Sequence, residues 1–119
     1  MITIYHNPRC SKSRDALALL QQHIQQHNDL ALNVVEYLKT PPTEAELTAI
    51  LAKLKIPARS LLRTGETDYT SLQLNQPELT EQQLIKAMSQ HPKLIERPIV
   101  VIGDRAAIGR PLSNVSAIL

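Results

Sequence analysis

The opening of the chain constrains its fold most, because strand, helix and strand follow one another within the first 37 residues. Ile2-Thr3-Ile4-Tyr5-His6 alternates apolar and polar side chains as a half-buried strand does, and Asn7-Pro8 then breaks it. Leu17, Leu20 and Ile24 recur at the i, i+3, i+7 spacing of one helical face, with Ala16 beside them. Gln21 to Asp29 is rich in Gln, His and Asn with few apolar anchors, so the helix is expected to fray there. Leu30-Ala31-Leu32-Asn33-Val34-Val35-Glu36-Tyr37 reads as the second strand. Such a βαβ unit implies a parallel pair joined by a right-handed crossover.

After Pro41-Pro42, Thr43 followed by Glu46 forms a capping box, and Leu47, Ile50, Leu51 and Leu54 make the apolar stripe of the helix behind it. Thr80 with Gln83 repeats the device, and Leu79 and Leu84 are spaced as a hydrophobic staple for a helix ending near His91-Pro92. Ile99-Val100-Val101-Ile102 reads as a buried strand, Gly103-Asp104 as a two-residue hairpin turn, and Arg105 to Ile108 as the antiparallel return. A short terminal helix through Val115, Ile118 and Leu119 closes the chain. No repeat, low-complexity tract or linker interrupts residues 1–119, so a single domain is expected. With no Trp, no Phe and three tyrosines, its core must be aliphatic. The order βαβ, helices, ββα is that of the α/β, thioredoxin-like architecture: a four-stranded mixed sheet, parallel βαβ plus antiparallel ββα, flanked by helices.

Charge and cysteine content exclude several functions. A net charge of +2 without stacking aromatics does not suit nucleic acid as a partner. No run approaches the ~20 apolar residues of a membrane span, and Met1 to Tyr5 lacks the basic start of a secretory signal, so a cytoplasmic location is expected. The single cysteine permits neither an internal disulfide nor a multi-thiolate metal site. No bound metal or cofactor is expected, and any redox cycle at Cys10 must take its second thiol from another molecule.

Cys10 stands where the first strand turns into the first helix, in Asn7-Pro8-Arg9-Cys10-Ser11-Lys12-Ser13-Arg14. Unpaired backbone N–H groups and the positive end of the helix dipole favour an anion there, and the neighbouring basic side chains Arg9, Lys12 and Arg14 add to this. A thiolate, the reactive form, is therefore favoured over a small buried hydrophobe. The same turn can hold an oxyanion through its amides and the hydroxyls of Ser11 and Ser13. Arg97-Pro98 precedes a buried strand, where proline belongs at the strand start or in a special turn, a cis peptide among the options. Read alone, Arg97, Arg63 and Arg110 could equally be solvated charges, the usual fate of an isolated arginine.

The stretches Ile4 to Arg14, Leu61-Leu62-Arg63, His91 to Val101 and Gly109-Arg110-Pro111 resemble the glutaredoxin-coupled arsenate reductases, in order and separation, over nearly the whole chain. The resemblance implies a nucleophilic Cys10, an oxyanion clamp of Arg63, Arg97 and Arg110, and substrate contacts from Ser11, Lys12, Ser13 and Arg14. It makes His6, Asn7 and Pro98 supporting positions, with His6 tuning the ionisation of the sulfur. It implies arsenate as oxyanion substrate, glutathione as cosubstrate and glutaredoxin as partner. The chain departs from some members in carrying Gly109 where they have a cysteine, and in stopping at Leu119 where longer members continue.

Two other readings remain open on the sequence. One is a glutathione-dependent thiol transferase, with Cys10-Ser11-Lys12-Ser13 as a monothiol version of Cys-x-x-Cys. The other is a non-enzymatic binding module like the polymerase-binding redox regulators of this fold, although Ser13 stands where their second switch cysteine would be.

Overall fold

The computed structural model describes all of residues 1–119. The contacts gather into two compact units, Met1–Thr40 with Arg97–Leu119, and Pro41–Glu96. In chain order the elements are β1 (Ile2–His6), α1 (Ser11–Gln26), β2 (Leu32–Glu36), α2 (Glu44–Leu54), α3 (Ala58–Leu61), α4 (Thr67–Ser71) and α5 (Glu81–Gln90). A 3-10 turn at Pro92–Leu94, β3 (Ile99–Ile102), β4 (Arg105–Ile108) and α6 (Ser113–Ser116) complete them.

The first unit holds the whole sheet, in the order β2-β1-β3-β4. β1 runs parallel to β2, with Ile2 opposite Leu32 and His6 opposite Glu36. It runs antiparallel to β3, which turns through Gly103 into antiparallel β4. Gly103 has φ +59, the left-handed conformation a tight hairpin turn requires and glycine adopts without strain. This is the mixed sheet the order of elements predicts. Alternation along β1 buries Ile2, Ile4 and His6, and the helical period of α1 buries Ser13, Ala16 and Leu20. Ile2, Ile4, Ala16, Leu20, Val100 and Val115 form one core cluster, all at most 1% exposed. Truncating a residue such as Leu20 to alanine would cost about 2–5 kcal/mol in lost transfer energy and cavity formation.

α1 persists through Gln26 rather than fraying from Gln21. Glutamine is a good helix former, and Ile24 still packs against the cluster. β2 is shorter than expected, Leu32–Glu36 instead of 30–37, and α6 ends at Ser116.

In the second unit both capping boxes form. Thr43 Oγ1 accepts from Glu46 N–H at 3.1 Å while Glu46 Oε1 accepts from Thr43 N–H at 3.0 Å. Thr80 and Gln83 do the same at 3.1 and 2.7 Å. Leu47, Ile50 and Leu51 of α2 are buried, as their spacing predicts, while Leu54 is half-buried, and Leu84, Ile85 and Met88 of α5 are buried. α3 and α4, with four and five residues, are too short to show a helical period in sequence. Tertiary hydrogen bonds hold that stretch: Ala58 N–H donates to a Glu81 carboxylate oxygen, and the Arg59 guanidinium donates to the carbonyls of Leu74 and Gln76. No helix is long and apolar enough to cross a membrane.

Candidate active site

The two periodicities of the first unit meet at a pair of polar side chains. His6 continues the buried Ile2, Ile4 face of β1, and Ser13 continues the buried Ala16, Leu20 stripe of α1, so both point inward where strand and helix join. His6 is 6% exposed and Ser13 0%. Buried polar groups must find partners, and these find each other: His6 Nδ1 lies 2.7 Å from Ser13 Oγ, which also accepts from Asn7 N–H at 3.0 Å. Burial, followed by the charge of Arg14, holds His6 below its ordinary pKa against the opposing influence of Glu36 and Ser13. The neutral ring then accepts the Ser13 hydroxyl proton at Nδ1 and carries its own proton on Nε2, a tautomer assigned from this bonding pattern.

The Ser13 bond to Asn7 pins the start of the turn leading to Cys10. Within the turn Asn7 Oδ1 accepts from Arg9 N–H, and Asn7 O accepts from Cys10 N–H, both at 3.0 Å. Cys10 has extended backbone angles and occupies the N-cap of α1, whose first turn has no acidic residue. The positive end of the helix is thereby left for an anion. Burial is the largest single influence on Cys10 and pushes its thiol up. The backbone N–H of Ser13, the Arg97 guanidinium, the backbone N–H of Lys12 and the Arg110 guanidinium together outweigh it, and the pKa is lowered. Cys10 is 9% exposed.

The arginines come from the far end of the chain. Arg110 Nη2 lies 3.4 Å from Cys10 Sγ, and Arg110 Nε donates to Arg97 O at 2.7 Å. Both Arg97-Pro98 and Arg110-Pro111 are cis peptides. Between them Gly109 N–H donates to Pro98 O at 2.9 Å. A Cβ on Gly109 would stand 2.7 Å from Pro98 Cγ, so glycine is what lets the two arginine corners lie this close. Asn114 Nδ2 donates to the carbonyls of Ile108 and Arg110 and braces the second corner.

The positive charge acting on the sulfur comes from Arg97 and Arg110, not from the sequence neighbours Arg9, Lys12 and Arg14. Arg14 instead donates to Pro8 O at 3.0 Å and braces the turn, and Lys12 and Ser11 are exposed. The Ser13 hydroxyl is committed to the interior, so its backbone N–H is what favours the thiolate. Arg63 lies in the second unit, half-buried, paired with Glu66 and 3.9 Å from Glu96. Its N–H donates to Leu94 O at 2.7 Å. No three His, Cys, Asp or Glu side chains converge as a metal site would require.

A sulfur of lowered pKa, two guanidinium groups and the amides of a helix N-terminus together make a candidate nucleophile beside an anion-binding corner. The ArsC family model matches residues 5–118. An arsenate reductase of Neisseria meningitidis is 46% identical over 119 residues, covering 99% of this chain and 97% of that relative. An arsenate reductase of Escherichia coli K12 is 40% identical over 118 residues, covering 99% of this chain and 80% of its own length. The solved arsenate reductase from Vibrio cholerae is similar in fold, with a TM-score of 0.90 at 43% identity over 99% of this chain and 97% of that one.

Proposed function

The chain belongs to the ArsC family, and from that premise we propose that it reduces arsenate to arsenite with Cys10 as nucleophile, drawing electrons from glutathione and glutaredoxin. The observation that carries this reading is Arg110 Nη2 at 3.4 Å from a Cys10 sulfur whose pKa is lowered. A charged donor at that distance stabilises the thiolate and remains available to an oxyanion bound against it.

In the proposed cycle the Cys10 thiolate attacks arsenic(V), and a hydroxide leaves and is protonated to water. Glutathione thiolate then displaces a second hydroxyl, again lost as water. A glutaredoxin thiolate attacks the glutathione sulfur, the S–S bond forms, and the electron pair of the breaking As–S bond reduces arsenic to the trivalent state. Water releases arsenite and restores Cys10. In sum, arsenic acid and two thiols give arsenous acid, one disulfide and water. One cysteine per chain suits this scheme, since both oxidised thiols are external. The thiol-reducing cytoplasm is the compartment it fits.

Guanidinium groups suit the oxyanion because their planar donors pair with two oxygens at once and keep their charge. Arg97 and Arg110 are assigned this role, and Arg63 is proposed as a third arginine on the family resemblance. Ser11, Lys12 and Ser13 would contribute backbone N–H groups at the start of α1, and Asn7, Arg14 and Pro98 the shape of the corner.

The test is arsenate-dependent NADPH consumption by the purified chain with glutathione, glutaredoxin and glutathione reductase, with thioredoxin and its reductase in a parallel arm. Wild type is expected to turn over in the glutaredoxin arm and Cys10→Ser to lose activity. Turnover surviving in Cys10→Ser would remove the nucleophile, and activity only with thioredoxin would replace the proposed reductant.

A further inference from the structure

A cleft of about 200 Å³ lies between the His6–Arg9 turn and the end of β2 with Leu38 and Lys39. β1 and β2 are parallel neighbours, with His6 opposite Glu36, so their carboxyl ends open on the same side. Ligands of open α/β sheets sit in crevices outside strand carboxyl ends. Here one wall of the crevice is the turn that runs directly into Cys10.

Resting on the proposed reaction, we propose that this cleft seats one arm of the small thiol that takes the second position on arsenic, with Arg9 and Lys39 holding its carboxylates and Glu36 its ammonium group. The chain has a single thiol, so the second must be delivered from another molecule to an arsenic already bonded to Cys10. Neither Arg97 nor Arg110 lines the cleft.

The charges on its walls decide what kind of thiol fits. Arg9 and Lys39 are two cations and Glu36 one anion, the inverse of a peptide thiol with two carboxylates and one ammonium group. The Glu36–Lys39 contact of 3.5 Å joins side chains 42% and 79% exposed. Such an exposed surface pair is weak, so it yields readily to a ligand carrying both signs. Leu38, a large apolar side chain left 39% exposed, offers the methylene groups of that ligand a surface. At about 200 Å³ the cleft is below the ~300–1,000 Å³ that encloses a drug-sized ligand, so it takes part of a tripeptide and leaves the thiol end to reach the neighbouring turn.

The experiment measures arsenate reduction by the full chain with glutaredoxin present and glutathione as the varied thiol, and separately with glutaredoxin and 2-mercaptoethanol, which has no carboxylate or ammonium group. Arg9→Ala/Lys39→Ala and the charge reversal Lys39→Glu are compared with wild type. Both side chains are exposed, so neither change threatens the core. The expected result is a KM for glutathione raised at least ~5-fold in both variants, with the KM for arsenate and the rate supported by mercaptoethanol within about two-fold of wild type. An unchanged KM for glutathione in an active variant overturns the cleft assignment alone. An equal loss with both thiols also overturns it. Failure of wild type to reduce arsenate with any thiol instead defeats the reaction on which the assignment rests.

Discussion

Arg110 reaches Cys10 across 100 positions of sequence, its Nη2 3.4 Å from the sulfur while its Nε holds the carbonyl of Arg97 at 2.7 Å. One side chain thus ties the nucleophile to the backbone of the Arg97 corner. Arg110→Ala removes both the charge and the brace. Turnover with arsenate is expected to fall by at least ~10-fold, with Arg110→Lys recovering only part of it because an ammonium cannot serve both partners. Steady-state kinetics on the two folded variants checks this, and full recovery in Arg110→Lys would refute the bridging role.

Arg97 acts on the sulfur by charge, and the proposed function gives it a planar, two-oxygen contact as well. Arg97→Lys is expected to lower kcat/KM for arsenate by at least ~10-fold with the fold intact by circular dichroism. Arg63→Ala is expected to raise the KM for arsenate. An unchanged KM would confine the clamp to Arg97 and Arg110.

Ser13 is the one side chain that ties β1, the turn and α1 together. Ser13→Ala leaves Asn7 N–H and His6 Nδ1 without this partner in a buried place. A destabilisation of about 1–3 kcal/mol in urea unfolding is expected, together with slower modification of Cys10 as the turn loosens. A loss below about 0.5 kcal/mol would mean that the hydroxyl is dispensable.

His6 links stability to pH. Its folded pKa lies below the ordinary 6.5, so as pH falls below about 6.5 the unfolded chain takes up a proton that the folded chain does not yet bind. The stability present above that pH is progressively lost until the folded ring also protonates. Unfolding free energies measured across this window should therefore decline toward acid more steeply in wild type than in His6→Gln. Equal slopes would contradict the buried neutral ring.

Local chemistry made much of the fold legible. Thr43 with Glu46 and Thr80 with Gln83 announce helix starts within four residues, and Gly103-Asp104 announces a hairpin for the same reason. α3 and α4 carry no such signal, because four or five residues held by Arg59, Glu81 and distant carbonyls have no period of their own. At the site, Cys10 and its helix N-terminus are local features and were readable. The source of the charge was not: Arg9, Lys12 and Arg14 adjoin Cys10 in sequence, yet Arg97 and Arg110 act on it through the sheet order β1-β3-β4. The buried Ser13–His6 pair did leave a trace. Ser13 stands three and seven residues before Ala16 and Leu20, and His6 two after Ile4, so both periods already pointed inward.

The pH dependence of Cys10 alkylation by iodoacetamide, with and without arsenate, tests the central claim most directly. The account expects half-maximal reactivity below the ordinary thiol value of 9.0 and protection by arsenate that disappears in Arg97→Ala and Arg110→Ala. A sulfur that titrates at or above that value, and that arsenate does not protect, would contradict it.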